Sequence, residues 1–181
     1  MDINELEQLF LNRQSCRKFS TKLVENEKLK KIIELTRLTP SACNSQPWSF
    51  EVVNNKELSK SVAEATQDMG MNKFTSNCPS FIVVVEESAT LSEIIGNKFK
   101  NQEFVSNDLG LATGHLIMSA SCLGLSTCIL GWINEKKLKE LLNVDKKKRI
   151  RLVIAVGYAD ENDVIREKRR KPIEKIVNYH L

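Results

Sequence analysis

None of the five cysteines, Cys16, Cys43, Cys78, Cys122 and Cys128, stands in Cys-x-x-Cys spacing. An odd count without metal-like spacing argues against a disulfide framework or a zinc site, and for reduced thiols in the cytoplasm. Histidine is nearly absent. His115 and His180 are the only two, and neither has neighbours that suggest a catalytic triad. No Gly-x-Gly-x-x-Gly marks a separate dinucleotide-binding domain. The longest candidate for membrane burial, residues 81–85, is far too short to span a bilayer. The opening Met1-Asp2-Ile3-Asn4-Glu5 is acidic and lacks the apolar core of a signal peptide, so the expected location is the cytoplasm. No internal repeat or low-complexity linker divides the chain.

What is there fits one domain. The 181 residues suffice for a sizeable core, and 1–181 is read as a single unit. A hydrophobic share of 41% and a charged share of 28% are ordinary for a soluble globular protein. The net charge of +4, from 27 basic and 23 acidic residues, suits a phosphate-bearing ligand but falls short of a nucleic-acid footprint.

Asp2 and Glu5 have the form of a capping box, and Leu6, Leu9 and Phe10 follow at helical spacing, so residues 2–12 are predicted helical. Asn26 is the expected N-cap of a second helix, with Leu29, Ile32, Ile33 and Thr36 inward and an end near Pro40. Residues 49–53 read as a strand, and Leu58, Val62 and Ala65 as the inner face of a short helix. Residues 67–77 read as a mobile loop or lid, and 81–85 as a fully buried strand. A helix is expected within 92–100. Residues 108–123 are apolar nearly all round, which places that helix at the centre or at a subunit interface. Gly110 and Gly114 would admit a neighbouring helix there, and His115 reads as a hydrogen-bonded core or interface group. Residues 124–132 read as helix stop, buried strand and glycine turn, 138–142 as a helix, and 152–156 as a second strong strand.

Three segments carry more chemistry than these elements need. In Arg13-Gln14-Ser15-Cys16-Arg17, an extended backbone would put Arg13, Ser15 and Arg17 on one side. Two guanidinium groups flanking a hydroxyl make an anion cradle; the other reading is a solvated basic turn at a helix end. In Pro40-Ser41-Ala42-Cys43-Asn44-Ser45-Gln46-Pro47-Trp48 the prolines fix backbone, and the small residues let it approach a flat ligand. Asn44 and Gln46 can each donate and accept, which suits the edge of a heterocycle. The alternative is a plain helix-to-strand connection, and Cys43 within it reads as a small apolar filler. Lys168-Arg169-Arg170-Lys171-Pro172 is either a solvated tail or a nucleic-acid patch.

In order and spacing these segments resemble the FMN-dependent nitroreductase family. The matching motifs are Arg-x-Ser-x-Arg at 13–17, Pro-Ser-Ala-x-Asn-x-Gln-Pro-Trp at 40–48 and Lys-x-Arg-x-Pro at 168–172. The 108–123 helix running into Gly-Leu-x-Thr-Cys also matches, as does Val-x-Gly-Tyr at 156–158 more loosely. The resemblance covers almost the whole chain. It implies an α+β fold with a central, mostly antiparallel sheet flanked by helices, and an intertwined homodimer with two FMN sites at the subunit interface. It implies that Arg13 and Ser15 hold the FMN phosphate together with Lys168 and Arg170, since a dianion wants several fixed donors. Arg17 would lie at the pyrimidine edge of the flavin, where a cation raises the reduction potential. Pro40, Ser41, Ala42 and Asn44 would come from the other subunit and line the ring. Ile129, Leu130 and Gly131 would present backbone N–H groups near ring atom N5. Asn72 resembles an asparagine that family members place on the pyrimidine side. The tail after Pro172 would cross onto the partner and extend its sheet. Many relatives carry an acidic residue where this chain has Leu130; a backbone donor does not need it, so FMN binding should survive while substrate preference changes. Residues 86–107, which shape the pocket in the family, show no readable pattern.

The implied activity is ping-pong oxidoreduction. NADH or NADPH delivers hydride to FMN and leaves, and a flat electron-poor acceptor, such as a nitroaromatic or a quinone, takes the electrons in the same space. FMN carries the chemistry, so no residue is expected to be catalytic in its own right and no metal is called for. This accounts for the missing acid–base constellation and the missing dinucleotide motif. The same scaffold could serve a specialised flavin reductase or a reductive dehalogenase. Outside that class, the 166–171 basic run could make a nucleic-acid-binding protein with no redox role. The resemblance favours small molecules and a second copy of the chain as partners, not nucleic acid or membrane.

Overall fold

The structure is a computed structural model and describes residues 2–87 and 102–181. The helix expected within 92–100 lies outside the described residues. Strands β1 (Trp48–Val53), β2 (Ser80–Glu86), β3 (Ser126–Leu130) and β4 (Arg149–Gly157) form one antiparallel sheet in the order β1-β2-β4-β3. The helices are α1 (Ile3–Asn12), α2 (Asn26–Thr36), α3 (Lys56–Thr66), α4 (Phe104–Cys122) and α5 (Glu135–Leu142).

The β-branched run of β2 explains its central place. Its residues Phe81, Val83 and Val85 join α3 and α5 in one core cluster, while Ile82 and Val84 join α2 and α4 in another. Alternation along a strand thus feeds both faces of the sheet. Burying each such side chain stabilises the fold by roughly 1.5–3 kcal/mol. A register shift between Val84 and Val85 lets Ile150 face the first cluster although Leu152, two residues on, faces the second.

α1 carries the expected capping box: the Asp2 carboxylate accepts from the Asn4 and Glu5 N–H groups, and Glu5 accepts from the Asp2 N–H at 2.8 Å. None of its residues is buried, and Phe10 and Leu11 are exposed. The N-cap of α2 is Glu25, which makes no side-chain cap bond. Asn26 is already helical, and its side-chain oxygen instead accepts from Asn54 at 2.7 Å. Residues 67–77 are two 3-10 turns, Asp68–Gly70 and Lys73–Asn77, tied down by Thr66 to Thr75 (2.9 Å) and by Gln67 to Ser76 (2.9 Å).

α4 begins at Phe104, earlier than its sequence suggested, and buries a stripe of Val105, Asp108, Leu109, Ala112, Thr113, Leu116 and Ala120. Its opposite side leaves Leu111 half exposed, and a Cβ added at Gly110 or Gly114 would meet nothing within 4 Å among the described residues. His115 is exposed on this helix, with Nδ1 2.8 Å from Thr39 Oγ1. Among the described residues no helix is long and apolar enough to cross a membrane.

Residues 13–20 run extended past the free edge of β3. Ser15 bridges Thr127 in parallel, and Phe19 bridges Ala159 antiparallel. This segment is therefore sandwiched between β3 and the chain that leaves β4.

Candidate functional site

The two ends of the chain meet at the β3 edge. Cys16 N–H donates to Thr127 O at 2.9 Å, so Gln14 and Cys16 turn their backbone groups toward β3. Alternation then turns those of Arg13 and Ser15 the other way, toward residues 163–168. There the Lys168 ammonium donates to Arg13 O, and Arg166 Nη2 donates to Ser15 O at 2.6 Å. Burial holds the Lys168 ammonium below its ordinary pKa, and the neighbouring charges of Arg13, Arg170 and Arg166 push it the same way. Arg170 itself is exposed, its Nη1 donating to Arg169 O at 2.9 Å. The locus therefore concentrates cations, and such a donor set fits a dianionic phosphate.

Cys128 of β3 sits against this cluster. Burial raises its thiol pKa, opposed by the charge of Arg17, by a hydrogen bond from Ser15, and by the charges of Arg166 and Arg13. Arg17 is exposed and shares a cleft with Phe74, Asn77, Asp160 and Asn162. Because Thr127 O points outward to Cys16, Ile129, two residues further, presents its own N–H and C=O on the same outer edge. Leu130 is buried toward the core and Gly131 is exposed. Asn72 has a left-handed backbone (φ 51°), and its amide donates to Thr66 O at 3.0 Å and Trp132 O at 3.1 Å. It thus pins the 67–77 turns beside the end of β3, with its nitrogen engaged on protein and its oxygen left to offer.

Pro40, Ser41, Ala42 and Asn44 lie elsewhere in this protomer. The Ala42 N–H donates to Asp108 Oδ2 at 3.0 Å, and Asp108 is buried in α4. Cys43, Asn44 and Gln46 all have left-handed φ, of 51°, 53° and 48°. For side chains other than glycine that conformation is strained, and such strain clusters at functional sites. Ser41 Oγ accepts from Gln46 N–H at 2.9 Å and closes the loop. Cys43, read from sequence as an apolar filler, is exposed. At 1.5 Å per residue, Asp108 and Cys122 are about 21 Å apart along α4. The loop is tied to one end of that helix, and the cation cluster flanks the β3 strand that follows its other end.

Gln14, Asp108 and Asp163 were not singled out from the sequence, and Arg166 was read only as the start of the 166–171 basic run. Gln14 and Arg166 pair with partners 149 to 152 residues away, a separation that leaves no local pattern. Three thiols also share the core beneath the site. Burial pushes Cys16 and Cys78 up to about 12, so neither is a nucleophile at neutral pH.

Comparison with known proteins bears on the family and the fold. The sequence profile described as "Nitroreductase family" matches residues 11–158. A protein of Archaeoglobus fulgidus, assigned by name to NADH dehydrogenase/NAD(P)H nitroreductase, is 30% identical over 89% of this chain and 90% of its own. The FMN-dependent nitroreductase of Clostridium difficile R20291, a solved structure, is 25% identical, with a TM-score of 0.73 over 96% of this chain and 98% of that one. An iodotyrosine dehalogenase 1 homologue of Caenorhabditis elegans is 23% identical over 93% of this chain and 59% of its own length. With the profile spanning most of the chain and the fold shared, this protein belongs to the nitroreductase family.

Proposed function

We propose that the protein is an FMN-dependent NAD(P)H oxidoreductase that reduces flat, electron-poor small molecules, nitroaromatics and quinones among them. The observation that carries this reading is the convergence of Arg13, Ser15, Lys168 and Arg170 beside the outer edge of β3. Arg13, Lys168 and Arg170 supply charge to a phosphate, and Ser15 a hydroxyl. The outward backbone of Ile129 and Gly131 offers hydrogen bonds to the edge of a ring lying along β3. Arg17 brings a positive charge to that strand, and Asn72 fixes the neighbouring turn. When bound, FMN supplies the acceptance and return of hydride equivalents. The residues bind, orient and tune it, with NADH or NADPH and then the acceptor sharing the exposed face.

The ring-lining loop favours a homodimer. Residues 40–46 are anchored about 21 Å from the other end of α4, so a second copy is needed to bring Pro40, Ser41, Ala42 and Asn44 to the same ring. The side of α4 left uncovered by the described residues and the exposed apolar residues Ile173, Ile176 and Tyr179 of the tail are surfaces for that copy. In this reading residues 1–181 are one flavin-binding domain acting in the cytoplasm. Arg166 and Lys168 are bonded into the fold, which disfavours a nucleic-acid role for the basic run.

The likeness to the iodotyrosine dehalogenase homologue favours one second reading, reductive dehalogenation on the same scaffold. The test is a visible absorbance spectrum of the purified protein, then anaerobic titration with NADH and NADPH. A yellow protein bleached by either nucleotide supports the proposal. A colourless protein that takes up no added FMN overturns it. Turnover on nitroaromatics, quinones and halophenols from one stock separates the two reductive readings.

A further inference from the structure

Between the two chain ends, side chains take over where backbone pairing stops. Ser20 N–H donates to Tyr158 O and Asp160 N–H to Lys18 O, both at 2.9 Å. Beyond that point Gln14 spans the gap. Its Nε2 donates to Asp163 Oδ2 at 3.3 Å and to Val164 O at 3.1 Å, and its Oε1 accepts from Arg166 N–H at 3.0 Å. Arg166 completes the seam: Nη1 pairs with Asp163 Oδ1 at 3.1 Å, and Nη2 reaches Ser15 O. The Asp163 side chain is only 4% exposed, whereas that of Arg166 is 46% exposed.

The charges do not suit Arg166 as a further phosphate ligand. Both its terminal nitrogens are engaged, one on a buried carboxylate that neutralises it. A carboxylate beside a phosphate is unfavourable unless a cation stands between them. What the arrangement does is fix distance. Arg13 and Ser15 lie on one extended segment and Lys168 on another stretch of chain, and a dianion gains from all of them only when they are held at one spacing.

We propose that Gln14, Asp163 and Arg166 form a positioning clamp that sets the separation of the phosphate-binding side chains without touching the phosphate. This rests on the flavin reading above and extends it to residues that the reading does not use. The clamp acts on the phosphate end alone, so its loss discriminates between FMN and riboflavin, which share the ring.

The experiment compares FMN and riboflavin binding to flavin-depleted protein by quenching of flavin fluorescence. The variants are Gln14→Leu, which changes no charge, and Arg166→Met. Both are expected to weaken FMN about tenfold, or 1.4 kcal/mol, while riboflavin changes less than twofold. Should Gln14→Leu fail to fold, judged by its thermal transition, Gln14→Asn keeps the amide one methylene short and is read in its place. Equal loss of both flavins overturns the clamp in favour of general damage. A loss in Arg166→Met with none in Gln14→Leu overturns it too, making Arg166 a direct phosphate ligand. Wild-type protein that prefers FMN while Gln14→Leu keeps the same preference overturns the clamp and leaves the flavin reading standing. Wild-type protein that binds neither flavin overturns both.

Discussion

Replacing Asp108 by alanine removes the oxygen that holds the Ala42 N–H at 3.0 Å. Asp108 is 4% exposed, so no water easily substitutes. A hydrogen bond to a charged group contributes about 1.5–3 kcal/mol net. The loop it anchors is strained, with left-handed Cys43, Asn44 and Gln46. At about 1 kcal/mol or more each, that strain is comparable to the bond holding it, although asparagine tolerates the conformation better than the other two. Asp108→Ala should therefore lower stability by about 2 kcal/mol, or about 4–8 °C in melting temperature for a chain of this size. Asp108→Asn keeps an acceptor oxygen and should lose less than half of that. If the loop closes over the ring of a neighbouring copy, Asp108→Ala also weakens FMN and riboflavin by equal factors. Urea unfolding of flavin-free protein and titration with both flavins check this. An unchanged unfolding midpoint, or Asp108→Asn as damaging as Asp108→Ala, would show that the acceptor oxygen is not what holds the loop.

Further expectations concern the core, the thiols, the phosphate end and the assembly. Gly157→Ala puts a Cβ 2.9 Å from Pro79 Cδ and 3.0 Å from Phe19 Cδ1, and the proline ring cannot swing away. A loss of about 1–3 kcal/mol in urea unfolding is expected, and no loss would mean that β4 shifts freely. With Ellman's reagent at pH 8, Cys16, Cys78 and Cys128 should stay unreactive until the fold opens, so more than two reactive thiols in native protein contradicts their burial. Cys16 and Cys78 keep their protons up to about pH 12 when folded, whereas unfolded thiols ionise near 9.0. Above that value the folded state binds more protons than the unfolded one, so stability falls as pH climbs from 9 toward 12, by up to roughly 1.4 kcal/mol per unit for each thiol. Melting temperatures across that range would reveal the slope, and a flat profile would refute it. Lys168→Met should weaken FMN at least tenfold, spare riboflavin and flatten the dependence of FMN binding on salt, all read by fluorescence titration. Leu111→Lys, on the uncovered side of α4, should convert a dimer to monomer in size-exclusion chromatography.

The sheet and helices were legible because their burial is written in local periodicity. The Val-rich β2 and the apolar α4 show it most clearly. The start of α4 was missed because no side-chain cap marks it. Asn26 has the chemistry of a cap, but tertiary contact with Asn54 claims its side chain. Residues 67–77 looked loose because two of their three left-handed positions, Met69 and Asn72, are not glycines, and their anchors come from Thr66, Gln67 and Trp132. At the site, Arg13, Ser15, Arg17 and the basic run stood out as charge in an unusual place. Gln14 and Asp163 did not, because the bond that joins them spans 149 residues and leaves no local pattern. Asp108 looked like one more polar residue at a helix start, and nothing in its neighbours announces the loop it holds.

The seam between residues 13–20 and 158–168 also bears on how the protein is made. Arg13 waits, through synthesis of everything in between, for Lys168 to arrive. No amino-terminal fragment that stops short of residue 168 can assemble this cation cluster, however well its sheet has formed. On the flavin-binding reading, prematurely terminated products should therefore be colourless, and pigmentation of a preparation would report on chains carried through to the second half of the seam.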